Sequence, residues 1–378
     1  MKILHMADTH LGYSAYRKLT KDGKNQRELD IYNAFKCCID NAIKARPDLI
    51  LHAGDLFDSV RPTNRAITIA LDQIIRLSKE GIPFIVISGN HETPKLKETG
   101  SIFKIFEHID YVYPIYDNRY EKIPFNIKNK EIIIHAVPHC HTKQVFLENL
   151  NKIKSVRSAD INICITHGAV SGIKEFKMNE FNELFVPTKI LSGDFHYIAL
   201  GHYHKYTKIA KNAYYSGSPE RFSFAEVGDK KGYMEIEIGR ENKYKFIEID
   251  TRPMIDSNPI NCLDLSIEEI THKIQKIIKK IKPEGKIFRI KLENIPSHIY
   301  RSIDFNNIRK QCNGAVHFEI KSNIVKEGDQ RISENYIIES ISSEFKKYIN
   351  NQEIIYKDFL LKLGLDYIQK VESKDEGK

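Results

Sequence analysis

The stretch Gly54-Asp55-Leu56-Phe57-Asp58 comes almost directly after an apolar run, Leu49-Ile50-Leu51. Such a run indicates a buried strand, and an aspartate just past its end would stand at the mouth of an α/β sheet, where these folds bind ligands. Gly-Asp is also ordinary turn chemistry, so the stretch alone fits a strand-ending turn equally well. The rest of the chain favours a functional site, because four other apolar runs end in a similar way.

These runs each lead into short polar motifs. The runs and the polar residues after them are Ile3–Met6 with Asp8 and His10, Phe84–Ile87 with Asn90 and His91, Ile161–Ile165 with His167, and Ile198–Leu200 with His202 and His204. Because parallel strands present their carboxyl ends along one edge of a sheet, we expect these side chains to converge. Asp8 and His10 are two positions apart, as are His202 and His204, and in an extended chain this spacing directs both side chains to one side.

The segments between the runs predict helices and closing strands. Apolar residues at helical spacing predict a helix over about Glu28–Ala45, a second from about Thr63 to Gly81, and a short one over Ile102–Phe106. Residues Tyr233–Ile249 include a period-two alternation that predicts antiparallel strands. Strands that alternate with helices predict an α/β sandwich around a largely parallel core.

The last third of the chain has a different pattern of predicted elements. Prolines among polar residues at 250–259 predict a domain boundary, and a capping-box helix from Ser266 followed by a strand over Ile287–Leu292 predicts a small α/β domain at 251–332. Beyond residue 333, two amphipathic stripes, Ile337–Ile349 and Tyr356–Leu363, predict short helices, and a disordered tail is expected from Glu372. The helices could pack on the body of the protein or bind a partner's groove.

The charge of the chain is concentrated in one segment. The net charge is +8, and Lys273–Lys310 holds eleven Lys and Arg against three Asp and Glu, a surplus of eight. This surplus suggests a polyanionic partner, although a solvated helix face explains charge alone equally well. We expect an intracellular, cytoplasmic protein, since no uncharged run could span a bilayer and the N-terminus lacks the apolar core of a signal peptide.

The polar residues at the strand ends have the chemistry of a metal centre. Carboxylates, an amide and imidazoles without thiolate suit divalent ions of intermediate hardness, such as manganese, and argue against structural zinc. Seven candidate ligands are too many for one ion with an open position. They suit two ions that share a carboxylate roughly 3.5–4 Å apart, an arrangement that serves phosphoryl displacement.

In this order, the motifs Asp-x-His, Gly-Asp-Leu-Phe-Asp, Gly-Asn-His-Glu, His-Gly and Gly-His-x-His resemble the calcineurin-like metallophosphoesterase superfamily. The longer strings Asp8–Gly12 and Gly54–Thr63, and the segment Tyr215–Arg221 with Glu226, are similar to its SbcD branch, the nuclease subunit of a DNA double-strand-break repair complex. The resemblance implies a four-layer α/β/β/α metallophosphoesterase sandwich over residues 1–250, a small α/β capping domain that binds DNA at 251–332, and C-terminal helices at 333–378.

The resemblance also implies roles for individual residues. One ion would be held by Asp8, His10, Asp55 and His204, and the other by Asp55, Asn90, His167 and His202, with Asp55 shared. His91 would be a catalytic non-ligand that contacts the phosphate or helps the leaving oxygen depart. Asp58 departs from the family, in which many members carry histidine at this position. It could accept a hydrogen bond from a ligand histidine or be a surface residue.

The function implied by the resemblance is a manganese-dependent nuclease that processes DNA ends in double-strand-break repair. Its expected activities are 3′→5′ exonuclease on double-stranded ends and endonuclease on single strands or hairpins. Its expected assembly is a homodimer, with Thr63–Ser78 and Ser101–His108 as candidate contacts, bound through the C-terminal helices to an SMC-like coiled-coil ATPase. The alternatives are a phosphoesterase for small-molecule or protein substrates, which the basic second domain disfavours, and a non-catalytic scaffold, which the intact ligand set disfavours.

Overall fold

A computed structural model describes residues 1–171, 183–325, 341–350 and 356–375. The strands are β1 (Lys2–Met6), β2 (Leu49–His52), β3 (Phe84–Ile87), β4 (Val112–Ile115), β5 (Glu121–Ile127), β6 (Lys130–Val137), β7 (Ile161–His167), β8 (Ala169–Val170), β9 (Phe185–Val186), β10 (Tyr197–Gly201), β11 (Thr207–Ala210), β12 (Ala213–Tyr215), β13 (Gly232–Glu237), β14 (Lys243–Glu248), β15 (Met254–Asp256), β16 (Ile260–Asn261), β17 (Ile287–Pro296) and β18 (His317–Val325). The helices are α1 (Gln26–Ala45), α2 (Asn64–Lys79), α3 (Lys143–Lys152), α4 (Ile267–Ile281), α5 (Ser297–Ser302), α6 (Phe305–Gln311), α7 (Ile341–Asn350) and α8 (Lys357–Asp375), and the predicted short helix Ile102–Phe106 is a 3₁₀ helix.

Two six-stranded sheets form the main body. The first has the strand order β14-β13-β1-β2-β3-β4, and the second has the order β11-β12-β10-β7-β6-β5. The central strands β1 to β4 run parallel, as do β6, β7, β10 and β12 in the second sheet. Antiparallel strands flank both parallel cores, and β13 and β14 are the antiparallel pair predicted from the period-two alternation.

Three hydrophobic clusters separate four layers. One cluster packs α1 and α2 on the outer face of the first sheet, through residues such as Phe35, Ile74 and Phe84. The second lies between the sheets, where alternate residues of β1 to β3 meet those of β6, β7 and β10. The third packs α3 on the outer face of the second sheet, where Phe146 is fully buried. The predicted four-layer α/β/β/α sandwich is therefore confirmed.

The helix boundaries follow from side-chain caps. Asn25 accepts hydrogen bonds from the amides of Arg27 and Glu28, so α1 begins two residues before the predicted start. Thr63 caps α2 through the amide of Ala66, and the predicted capping box at Ser266 is present at the start of α4. Each cap satisfies amides that the first helical turn leaves without partners.

Residues 254–325 form a third, four-stranded sheet built on β17, covered by α4 to α6 around a separate apolar cluster. Side-chain contacts hold this sheet and the segment before it against the sandwich. Arg252 forms a bidentate ion pair with Asp30 of α1, at 2.5 and 2.6 Å, and the ring of Tyr16 stacks on that of His317 at 3.8 Å between centroids. Two cations of β17, Arg289 and Lys291, are both paired with Asp256.

The chain divides into a unit at Met1–Ile324 and a second unit at Val325–Lys378. In the second unit, the predicted stripe from Ile337 lies partly outside the described residues, and α7 and α8 are its described helices. Helix α8 continues to Asp375, so the prediction of a disordered tail from Glu372 is wrong for its first four residues. Across the described part of the chain, no helix is long and apolar enough to cross a membrane.

Candidate metal centre

The predicted site residues come together at the carboxyl ends of five strands, but these strands belong to two sheets. Asp8, Asp55 and Asn90 follow β1, β2 and β3 of the first sheet, while His167 ends β7 and His202 follows β10 of the second. The expectation that one sheet edge would gather them is therefore wrong. The site instead lies where the edges of the two facing sheets meet.

The loops that carry these residues have an unusual backbone. Asp8, His10, Asp55 and His202 all have positive φ, at 54°, 46°, 53° and 102°. Residues other than glycine seldom adopt this conformation, and it is found preferentially at functional sites. Asp8 and His10 do come together, but the expectation that an extended chain would do this is wrong. Tight left-handed turns bring these side chains together.

The first group consists of Asp8, His10 and His204, whose ligand atoms all lie within 4.8 Å of one another. The Nε2 atoms of the two imidazoles face each other at 3.2 Å. Asp8 and His10 are buried and His204 is nearly so. One carboxylate oxygen of Asp8 accepts a hydrogen bond from the amide of His202, at 2.9 Å, which fixes the orientation of the carboxylate.

The second group consists of Asp55, His167 and His202, with Asn90 beside it. The side-chain oxygen of Asn90 lies 2.9 Å from Nε2 of His167 and 3.0 Å from Nδ1 of His202. Nδ1 of His167 donates to the carbonyl of Ala53 at 2.8 Å, so the lone pair of a neutral His167 ring lies on Nε2, toward Asn90.

Asp55 lies between the two groups. Its Oδ2 atom is 3.3 Å from Nε2 of His167 and 3.7 Å from Nε2 of His10, while Oδ1 accepts the amide of His91 at 3.0 Å. Burial alone would raise the pKa of Asp55, but the neighbouring imidazoles, His167 foremost, hold it well below its ordinary value. A Cβ atom at Gly89 would collide with this carboxylate, which explains the glycine that precedes Asn90.

The donor atoms themselves indicate that cations fit here. Nδ1 of His10 lies 3.2 Å from Oδ1 of Asp58, and Nδ1 of His204 lies 3.3 Å from Oε1 of Glu226. A carboxylate beside Nδ1 favours the tautomer that carries the proton there, which leaves the Nε2 lone pairs of both rings available to a cation placed between them. Oδ2 of Asp8 is buried and accepts no hydrogen bond from the described residues. A divalent ion would satisfy all three atoms.

His91 stands at the rim of this arrangement and is about 30% exposed. Its Nδ1 donates to the backbone carbonyl of Asp58 at 3.1 Å, and its ring packs edge-on against that of His10 at 4.5 Å between centroids. His91 also lies within ligand distance of His10 and Asp55, so proximity alone does not separate a ligand from a substrate-contacting role.

Several residues that support the ligands were missed or left open by the sequence. Asp58 proves to lie beside His10, with its Oδ1 3.2 Å from Nδ1, which favours a role next to a ligand histidine over a plain surface position. Glu226 had appeared only as part of a matching string, and the buried Lys231 that pairs with it carried no sequence signal. Glu183, 3.3 Å from Nε2 of His202, also gave no signal. By contrast, His52 and His135 are buried core residues, hydrogen-bonded to Thr9 and Tyr120, respectively.

The comparisons with known proteins agree with this geometry. The family model of the calcineurin-like phosphoesterases matches residues 1–206, which include every candidate ligand. The chain belongs to this family, as its motifs predicted, and is thus a hydrolase of phosphate esters. Members of the family use divalent metal ions, and the residue groups described above could hold them.

The chain is also similar over most of its length to archaeal proteins named DNA double-strand break repair protein Mre11. The protein of Methanocaldococcus jannaschii is 30% identical over 307 residues, covering 76% of this chain and 77% of that protein. The protein of Methanococcus maripaludis is 29% identical over 94% of this chain and 92% of its own length. The protein of Sulfolobus acidocaldarius is 27% identical over 99% and 96%, respectively.

Proposed function

We propose that this protein is a manganese-dependent DNA nuclease that processes ends in double-strand-break repair. The observation that carries the proposal is the convergence of seven candidate ligands around Asp55, in a chain similar to Mre11 proteins over nearly its whole length. One ion would be held by Asp8, His10, Asp55 and His204, and the other by Asp55, Asn90, His167 and His202. The ions supply positive charge that stabilises a phosphoryl-transfer transition state.

The chain's own side chains complete the chemistry. Both oxygens of the Asp55 carboxylate are held in place: Oδ1 accepts the His91 amide, and Oδ2 lies between the imidazoles of His167 and His10. These contacts fix the distance between the two groups of candidate ligands. His91 is the substrate-contacting group, at the exposed rim, where its Nε2 contacts the phosphate or the departing oxygen. The activities we propose are 3′→5′ exonuclease on double-stranded ends and endonuclease on single strands and hairpins.

Each of three parts of the chain has its own proposed role. Residues 1–250 form the nuclease domain, and 251–332 form a capping domain that binds DNA. The support for DNA binding is the exposed side of α4, where Lys273, Lys276, Lys279 and Lys280 project away from the buried isoleucines. Arg289 and Lys291 contribute less because both are paired with Asp256, and Arg289 also lies 3.5 Å from Glu319, so the salt dependence of DNA affinity should come mainly from α4.

Residues 333–378 form the partner-binding segment, for an SMC-like coiled-coil ATPase. The support is a set of large apolar side chains on α8 that remain exposed, including Phe359 at 66% and Leu363 at 42%. Two apolar stripes of this kind suit a helix-in-groove contact. We also propose a homodimer whose contacts lie on α2 and the 3₁₀ helix Ile102–Phe106.

A nuclease assay tests the proposal. Purified wild-type protein is given linear duplex, single-stranded and hairpin DNA with Mn²⁺, Mg²⁺ or EDTA, beside Asp55→Asn and His91→Asn variants. Asp264→Asn, an exposed carboxylate remote in sequence from the ligand motifs, is the matched control. We expect Mn²⁺-dependent cleavage by wild type and control only. Turnover of small phosphodiesters without DNA cleavage would instead favour a small-molecule phosphoesterase, and inactivity with both would favour a scaffold.

A further inference from the structure

A buried ion pair lies directly behind one of the candidate ligands. Nζ of Lys231 is 2.5 Å from Oε2 of Glu226, and the Lys231 side chain is completely buried. Oε1 of the same carboxylate is 3.3 Å from Nδ1 of His204. Lys231 and Glu226 therefore stand in line behind the imidazole, on the side opposite the Nε2 atom that faces His10.

The ammonium group of Lys231 has all three of its hydrogens engaged. Besides Glu226, it donates to the backbone carbonyl of His204 and to the hydroxyl of Ser218, each at 2.9 Å. Lys231 thus holds His204 twice, through its main chain directly and through its side chain by way of Glu226. Because a buried ammonium is costly unless it is fully paired, an arrangement that uses every donor to join His204, Ser218 and Glu226 indicates a positioning role.

The remaining side of the imidazole is closed by an aromatic ring. The Phe222 ring meets those of His204 and His10 edge-on, at 4.9 and 4.8 Å between centroids. The Phe222 amide is itself held 3.3 Å from Oε2 of Glu226. One carboxylate therefore fixes both the hydrogen-bond partner of the His204 ring and the residue that packs against it.

We propose that Glu226 and Lys231 are positioning residues that set the metal affinity of the Asp8, His10 and His204 group without touching the ion. The inference rests on the proposed function, which places an ion in this group. Glu226 locks the tautomer of His204, so that Nε2 presents its lone pair, and raises the basicity of the ring. The Asn90, His167 and His202 group has no contact with this pair among the described residues, so its affinity does not depend on it.

Titration of the whole protein with Mn²⁺, monitored by calorimetry and by electron paramagnetic resonance, tests the inference. The main variant is Glu226→Gln/Lys231→Met, which removes both charges together and leaves no buried charge unpaired. We expect one of two ions to bind about 10- to 100-fold more weakly, the size typical for loss of a ligand's hydrogen-bond partner. The signal of a coupled ion pair should give way to that of a single ion at intermediate Mn²⁺.

The rate provides a second readout. The Mn²⁺ concentration for half-maximal cleavage should rise by the same factor, while the rate at saturating Mn²⁺ stays near that of wild type. Asp30→Asn is the matched control, because Asp30 is also a buried carboxylate paired with a cation, Arg252, and contacts no candidate ligand. Should the double variant fail to fold, Glu226→Asp keeps the charge but draws the oxygen away from Nδ1, and the same weakening of one ion is expected.

Two-ion binding of wild-type affinity in both Glu226 variants would overturn the inference and leave the proposed function intact. Equal weakening of both ions, or equal weakening by Asp30→Asn, would show a general structural effect and would overturn it as well. Failure of the wild-type protein to bind two ions would overturn the proposed function, and the inference with it.

Discussion

Oδ1 of Asp58 lies 3.2 Å from Nδ1 of His10, so the last residue of the Gly54–Asp58 motif places a carboxylate directly beside a candidate metal ligand. The backbone carbonyl of the same residue accepts from Nδ1 of His91 at 3.1 Å. Asp58 thereby orients two imidazoles with different proposed roles. Its side chain is about one-third exposed, so the partly solvated carboxylate can be replaced without opening a cavity.

Replacing Asp58 should weaken the binding of one ion. In Asp58→Asn the amide can present a donor to Nδ1 in place of the acceptor, which favours the wrong tautomer of His10. We expect the Mn²⁺ requirement for cleavage to rise about 10-fold or more, within the range known for such partners. Titrating the cleavage rate with Mn²⁺ measures this, and an unchanged half-maximal concentration would show that Asp58 has no role in holding His10.

Replacing His91 should slow the chemical step and spare the metal. We expect His91→Asn to reduce the rate at saturating Mn²⁺ by about 10²- to 10⁴-fold, the usual contribution of a positioned acid or transition-state contact. Calorimetry should still find two ions, since the proposed ligands are intact. If the variant instead lost an ion, the proximity of His91 to His10 and Asp55 would have to be interpreted as ligation.

The fold, and the residues that the structure brings together at the site, could be predicted from sequence because both depend on local patterns. Apolar runs of four or five residues followed by polar motifs, such as Phe84–Ile87 before Asn90, identify strand ends without any tertiary information. The pattern could not reveal that the strands belong to two sheets, because pairing partners are set by packing. Nor could it find Lys231. Its charged neighbours in the sequence suggest an exposed residue, but its loop lies behind His204, and this position buries it.

A buried histidine that is not a candidate ligand gives a prediction for pH. Burial lowers the pKa of His5 to about 3, and the ring is hydrogen-bonded to the hydroxyl of Tyr197 at 2.8 Å. In the unfolded chain His5 should titrate near its ordinary pKa of about 6.5, so the unfolded state gains a proton as pH falls below that value and the folded state does not. The stabilising effect of a neutral His5 is thus complete above about pH 6.5 and is lost progressively toward pH 3.

The prediction for His5 is measured as a difference. The free energy of unfolding of wild type should fall more steeply between pH 7 and pH 4.5 than that of His5→Gln, by up to about 1.4 kcal/mol per pH unit. Urea denaturation at several pH values would show it. Parallel curves for the two proteins would mean that His5 does not resist protonation in the folded state.

Deleting the C-terminal segment should separate partner binding from catalysis. The contacts of the chain divide near Val325, and the candidate ligands all precede this point. We expect removal of the residues after Ser333 to abolish binding to the proposed coiled-coil ATPase partner and to leave Mn²⁺-dependent cleavage by the isolated protein within about twofold of the full chain. A pull-down with the ATPase, beside the nuclease assay, checks both. Retained ATPase binding would place the contact elsewhere.

The central claim is that Asp55 is shared by two ions, and anomalous diffraction from crystals grown with Mn²⁺ tests it most directly. We predict two anomalous peaks, one bounded by Asp8, His10 and His204 and the other by Asn90, His167 and His202, with the Asp55 carboxylate between them. We further predict that neither peak survives in Asp55→Ala. A single peak in the wild-type protein, or two peaks that persist without the Asp55 carboxylate, would contradict this account.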